Sequence, residues 1–213
     1  MKKILISIFL ILFCVLPVWS GEFEDTKKSA EQGNMNAQRN LGLIYIEGNL
    51  VSQDFEKSLY WFKKASEQGD EMSMGVMYES GEGVQQNYKQ ALYWFKKASE
   101  QGYAKSQYSL GDMYDNGIGT PQNYKQAAYW YKKSAEQGYD KAQWNLGDMY
   151  YNGKGVSRNY KQAYIWYSLS VSQGNSDAIE SREKAAKELT PKQINKAQEA
   201  SSKIQYKIDN PSK

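Results

Sequence analysis

The sequence predicts an all-α protein made of stacked pairs of antiparallel helices. Three observations predict it. A unit recurs four times with a period of about 36 residues. Within each unit, apolar and small residues fall at three- and four-residue steps, which is helical periodicity. Cap residues and turn glycines also stand at fixed offsets, so each unit holds two helices and a tight turn. The register is set by Leu41-Gly42, Met74-Gly75, Leu110-Gly111 and Leu146-Gly147. A tyrosine follows each glycine by three residues (Tyr45, Tyr78, Tyr114, Tyr150), and a tryptophan follows it by nineteen (Trp61, Trp94, Trp130, Trp166). The closing glycines, Gly33, Gly69, Gly102, Gly138 and Gly174, are spaced 36, 33, 36 and 36 residues apart.

In chain order, residues 1–20 are expected to be a signal peptide. Lys2 and Lys3 precede an apolar run from Ile4 to Leu16, Pro17 breaks it, and Ser20 precedes a cut before Gly21. The run is short for a membrane span, and an uncleaved anchor is the alternative. Cys14 follows bulky Phe13, where a lipid-attachment site would have a small residue, so it is assigned to the removed segment. Cleavage leaves 25 Lys+Arg against 24 Asp+Glu and no cysteine, so no disulfide can hold the exported chain.

Residues 21–33 form a partial repeat helix, and residues 34–174 form the four repeats. The first helix of a repeat, such as Lys105 to Asn116, carries Gln107, Leu110, Gly111 and Tyr114 on one face. A glycine inside a helix costs about 1 kcal/mol relative to alanine, so one kept in register implies close approach of a neighbouring helix. Gly81, Gly117 and Gly153 then end their helices with positive φ. The second helix begins after Asn87, Asn123 or Asn159, with Gln90, Gln126 or Gln162 placed to return a bond to the cap's own N–H. The first repeat uses Asp54 and Lys57, which keeps the cap and loses that box. Ala91, Trp94 and Ala98, and their equivalents, are expected to be buried. The second repeat is three residues short before Gly75 and should lack about one turn of its first helix. Residues 175–213 form C-terminal capping helices and a tail. Asn175 to Leu189 forms one more helix of the first type, and Thr190-Pro191-Lys192-Gln193 starts the last one. Residues after Lys207 are expected to fray.

Composition narrows the function. The formal charge of the whole chain is only +3, so the footprint of a nucleic-acid binder is missing. The chain has no histidine, which removes imidazole-based triads and histidine-ligated zinc. Its carboxylates do not follow a calcium-loop pattern. No cofactor and no metal are expected. The Gly-x-Gly turns close a helix rather than open one, so they are structural and not phosphate-binding.

The pattern Ala-Gln-x-x-Leu-Gly-x-x-Tyr, Gly-x-Gly, Asn-Tyr-Lys-Gln-Ala and Trp-Tyr-Lys-Lys-Ser-Ala-Glu-Gln-Gly resembles the SEL-1-like repeat family, a branch related to tetratricopeptide repeats. The resemblance covers about residues 22–190. It implies a right-handed α-α solenoid that acts as an adaptor in protein–protein contact, in bacteria often periplasmic or secreted. By the same resemblance, positions six and three before and one, four and five after each Leu-Gly glycine point into a concave face. These are Lys105, Tyr108, Asp112, Asp115 and Asn116 in the third repeat, and Lys141, Trp144, Asp148, Tyr151 and Asn152 in the fourth. In the first repeat they are Asn36, Arg39, Leu43, Ile46 and Glu47, of which Arg39 is the candidate for binding. Tyr108 and Trp144 could instead pack between repeats.

The expected function is an exported protein-interaction module, periplasmic or secreted, that holds a peptide or protein segment. Contact with nucleic acid is not expected, nor with a membrane once the signal peptide is removed. A host-directed secreted factor would use the same surface. The alternative from another class is a penicillin-interacting hydrolase, a label carried by cysteine-rich relatives. Its sequence support is Ser181-Arg182-Glu183-Lys184, without the accompanying Ser-Asp-Asn or Lys-Thr-Gly.

Overall fold

A computed structural model describes residues 21–211, so the expected signal peptide and Cys14 lie outside the described residues. The described residues are helical throughout, with no strand among them. Residues 21–31 form α1, followed by α2 (Met35–Glu47), α3 (Phe55–Ser66), α4 (Glu71–Ser80), α5 (Tyr88–Glu100) and α6 (Ala104–Asn116). Then come α7 (Tyr124–Ala135), α8 (Asp140–Asn152), α9 (Tyr160–Ser172), α10 (Asp177–Lys187) and α11 (Pro191–Asp209). Successive helices pack as pairs, giving the α-α solenoid class that the repeat predicts. The chain divides into two compact units between Trp94 and Phe95, inside α5.

In the first unit α2 pairs with α3, and α4 packs on α3. Leu41 and Tyr45 sit in one core cluster, and Phe62, Met74 and Met77 form another. Helix α4 has 10 residues where α2 has 13, which is the shortening expected from the sequence. In the second unit α6 pairs with α7 and α8 with α9, and α7 packs on α8. One continuous core runs through Ala127, Tyr131, Ala142, Leu146, Met149, Ala163 and Tyr167.

The mid-helix glycines let aromatic rings lie directly on the first helices. A Cβ at Gly42 would sit 2.5 Å from the Phe62 ring, one at Gly111 2.7 Å from Tyr131, and one at Gly147 2.6 Å from Tyr167. No side chain fits at that distance. The buried aromatic is therefore the residue after each tryptophan. Phe62, Phe95 and Tyr131 are fully buried, while Trp61, Trp94 and Trp130 are half-buried. This corrects the expected core positions at those three tryptophans, while Ala91, Ala98 and, in the fourth repeat, Trp166 are buried as expected. Residue 95 lies one helical turn from both Ala91 and Ala98, as residue 94 does, and neither spacing shows which of the two faces the glycine.

Asp54, Asn87, Asn123 and Asn159 cap their helices as expected, each accepting from the backbone N–H three residues on. The glutamines three residues later do not close the box. The N–H of each cap residue already donates to the carbonyl of the repeat tyrosine, from Asp54 to Tyr45, Asn87 to Tyr78, Asn123 to Tyr114 and Asn159 to Tyr150, at 2.8–2.9 Å. That bond ties the second helix of a repeat to its first and leaves the glutamine nothing to satisfy. Among the described residues a reciprocal box is formed at α11, between Thr190 and Gln193.

The end of the stack departs from a fifth repeat. In α10, Arg182 and Glu183 replace the Leu-Gly pair, so no ring can lie on that helix. Helix α11 folds back onto α9 instead. In α9, Ser168 and Leu169 stand where α7 has Lys132 and Lys133. Leu169 is buried, whereas the two lysines of α7 are exposed. Helix α11 also continues to Asp209 rather than fraying at Lys207, because Ile208 packs beside Gly138.

Candidate functional site

Helices α6, α8 and α10 build one face of the second unit, and most of the candidate binding residues stand there. Lys105, Asn116, Lys141 and Asn152 are exposed, while Tyr108, Asp112, Asp115, Trp144, Asp148 and Tyr151 are half-buried. Arg39 belongs to the first unit. It accepts company from both sides there, donating to Asn36 at 2.9 Å and pairing with buried Asp70 at 3.8 Å.

Two cavities open along the α6–α8–α10 face. The larger, of about 270 Å³, is lined by Asp148, Tyr151, Asn152, Tyr167, Ser181 and Lys184. The smaller, of about 100 Å³, is lined by Asp115, Asn145, Asp148, Met149, Asn152 and Lys154. Asp148 and Asn152 line both, so the cavities are neighbours along one groove.

The carboxylates of this groove hold the rings beneath them. The Tyr167 hydroxyl donates to Asp148 at 2.5 Å, and the Tyr131 hydroxyl donates to Asp112 at 3.4 Å. Asn116 also donates to Asp112, at 3.0 Å. Burial raises the affinity of Asp148 for its proton, opposed by the Tyr167 hydrogen bond and by the charge of Lys154. Burial likewise raises Asp112, with Asp115 adding repulsion, and raises Asp115, with Lys154 opposing. The phenols respond in the same direction. Tyr108 is pushed up to about 12, first by burial and then by Asp112. Tyr131 and Tyr167 are also raised by burial, so both remain hydrogen-bond donors.

Tyr108 and Trp144 pack between repeats. The Tyr108 ring lies 5.8 Å from Tyr131 and 5.1 Å from Tyr139, the residue that opens the next repeat. The Trp144 indole N–H donates to Ser181 of α10 at 3.2 Å. Only part of each ring faces the groove.

Asn145, Lys154, Ser181, Lys184, Tyr131 and Tyr167 also belong to the site, and the repeat positions alone did not select them for it. A signal for the two tyrosines was present. Where the residue after the Leu-Gly glycine is Asp112 or Asp148, the residue twenty after it is Tyr131 or Tyr167. Where it is Leu43 or Val76, that residue is Phe62 or Phe95. A buried phenol needs an acceptor, and a buried carboxylate needs a donor.

Ser181 and Lys184 do come together at one cavity, yet Lys184 is held charged. Its ammonium pairs with Glu180 at 2.8 Å, and that hydrogen bond raises its pKa, the reverse of what a lysine base requires. Among the described residues there is no cluster of three or more metal-ligating side chains, and no helix is long and apolar enough to cross a membrane.

The Sel1 repeat family model matches residues 36–70, 71–103, 104–139 and 140–175. Among solved structures, c5321, described as a protective antigen of uropathogenic Escherichia coli strains with an SLR fold, is 40% identical with a TM-score of 0.68. The match covers 73% of this chain and 34% of that one. A Sel1 repeat protein from Oxalobacter formigenes is 36% identical with a TM-score of 0.67, over 73% of this chain and 46% of that one. Cysteine rich protein B of Helicobacter pylori is 27% identical with a TM-score of 0.50, over 62% of this chain and 96% of that one. The chain thus spans about a third of the first of these and under half of the second. No curated protein matches it. Sel1 repeat proteins are generally protein–protein interaction modules, mostly non-catalytic scaffolds. With four matched repeats over most of its length, the chain belongs to the Sel1 repeat family.

Proposed function

We propose that this protein is an exported interaction module whose α6–α8–α10 face holds a peptide or protein segment. The observation that carries the reading is the pair of adjoining cavities that share Asp148 and Asn152. Exposed Asn152 and half-buried Tyr151 line them, and exposed Asn116 follows Asp115, which lines the smaller. Amide groups can bond a peptide backbone, and a tyrosine gives contact area at low entropy cost. The role of Asp112 and Asp148 is to set the shape and polarity of this floor, because each already accepts a phenolic hydrogen bond from within. Export is supported by the charged and apolar leader of the sequence and by the description of the Escherichia coli relative as a protective antigen.

Site-specific photocrosslinking tests the surface. A photoreactive residue is placed at Asn116 or Asn152 in the groove, and at Tyr129, an exposed position on α7, as control. The reading predicts one common adduct from Asn116 and Asn152 and none of that mass from Tyr129. The same adduct from all three positions, or none from the groove, overturns it. N-terminal sequencing of the protein recovered from periplasm and from medium tests export. A chain starting at Gly21 in either fraction supports it and assigns the compartment. An intact leader on protein found only inside the cell refutes it.

A further inference from the structure

A glutamine bridge that the first and third repeats make is open in the fourth. In the first repeat the Gln68 side chain donates to the Gln38 carbonyl oxygen at 2.6 Å, and Gln38 in turn donates to the Ala30 carbonyl at 3.1 Å. In the third, Gln137 donates to Gln107 at 2.8 Å, and Gln107 donates to the Ser99 carbonyl at 3.2 Å. The fourth repeat has the same two residues at the same separation, Gln143 and Gln173. Gln143 still donates to the Ala135 carbonyl at 3.2 Å. Its own carbonyl oxygen, fully buried, has no partner. Gln173 is turned away and donates to Gln205 of α11 at 3.2 Å, where Ser172 also donates, at 3.1 Å.

We infer that α11 is a detachable cap, because its docking on α9 and the glutamine bridge of the fourth repeat draw on the same Gln173 amide. When α11 is down, the bridge is open and a buried acceptor goes unpaired. When α11 lifts, Gln173 is free to return to Gln143 and the fourth repeat regains the arrangement of the first and third. Release therefore recovers part of what it loses, as a two-state element requires.

Two further features weaken the docked state at the same place. The Ser168 hydroxyl, at the cleft between α9 and α11, is buried without a partner. A cleft of about 360 Å³ remains between the C-terminal half of α11 and α9, with Ser168, Ser172, Gln205 and Asp209 in its walls. Within α11 only Ala197 is fully buried. Ile194, Ala197, Ala200 and Ile204 hold the helix to the core cluster, and the Thr190 capping box fixes its start.

Thiol labelling of a Ser168→Cys variant in a Cys14→Ser background reads the opening directly. Two further substitutions are added to it in turn. Gln205→Ala frees Gln173 and should speed labelling. Gln143→Met removes the acceptor that waits in the open state, and should slow labelling about five-fold, the worth of one hydrogen bond. The slowing is diagnostic, since a merely destabilising substitution would speed labelling. Amide exchange on the full chain gives the second readout: α11 amides should exchange ahead of those of α8. Labelling that Gln143→Met leaves unchanged or accelerates overturns the inference, as does exchange of α11 together with α8 in one step. Should Gln143→Met fail to fold, the side-chain amide resonance of Gln173 decides. Gln205→Ala must shift it toward the resonances of Gln68 and Gln137, and an unmoved resonance refutes the switch.

Discussion

The floor beneath Gly42 and the floor beneath Gly147 share one backbone plan and differ in chemistry. Under Gly42 the ring is Phe62, and the residue after the glycine is exposed Leu43. Under Gly147 the ring is Tyr167, and the residue after the glycine is Asp148, which accepts its hydroxyl. The third repeat follows the fourth, with Tyr131 and Asp112. A hydroxyl and a carboxylate have been exchanged together for two apolar groups. A polar floor can therefore be set or removed in one repeat without changing the helices around it. That makes the pair, rather than either residue, the element that decides what a repeat presents on this face.

The comparison breaks most severely where both floors rely on the same feature. Gly42→Ala and Gly147→Ala each push a methyl into a buried ring, and each should cost about 2–3 kcal/mol despite alanine's better helix propensity. Urea denaturation measures both. Equal losses would show that the plan is common to the two floors, and a loss at one alone would show that it is not.

Breaking one half of the polar pair comes next. Asp148→Leu strands the Tyr167 hydroxyl, and Tyr167→Phe takes the donor from Asp148, so each should cost about 1–3 kcal/mol. The double variant recreates the chemistry of the first repeat. It should cost well under the sum of the singles, with a coupling of at least about 1 kcal/mol. Additive losses would mean that the two residues do not act as a pair.

The smallest effect is on pH dependence. Asp112, Asp115 and Asp148 all have pKa values raised by burial above 3.8, the ordinary aspartate value. The native state then binds more protons than the unfolded one between 3.8 and the raised values. These groups therefore take stability away as pH rises through that window, and their cost is absent below it. Asp148→Asn keeps an acceptor for Tyr167 and removes the charge. It should raise Tm at pH 7 slightly, by no more than about 2–4 °C, and lose that advantage near pH 3. Leu43→Asn in the first repeat, with no buried charge to relieve, should show no such pH dependence. Parallel thermal melts separate the two.

Much of this was legible in the sequence. The repeat, its register, the Asn caps, the short α4 and the close approach at the Leu-Gly glycines all follow from local chemistry repeated several times. What escaped depends on which neighbour lies across a helix. Residues 94 and 95 both fit the helical spacing, and only the glycine opposite chooses between them. The glutamines after the caps fit a capping box until the tyrosine carbonyl is found to hold the cap's N–H first. Helix α11 reads as the partner of α10 until Arg182 and Glu183 are set against Leu-Gly, and Ser168 and Leu169 against Lys132 and Lys133. The groove residues stood at positions that the family pattern marks. Their division into ring-holding carboxylates and exposed amides became visible only once Asp112 and Asp148 were paired with rings nineteen residues away.

The most direct measurement uses the double variant Asp148→Leu/Tyr167→Phe, which gives the fourth repeat the floor of the first. Its folding is followed by circular dichroism and urea denaturation, and its partner capture by the photoreactive residue at Asn152. The account predicts a chain that folds like the parent and captures its partner at least about tenfold less well, the result of losing roughly 1.4 kcal/mol of contact. Undiminished capture by the folded variant would contradict it.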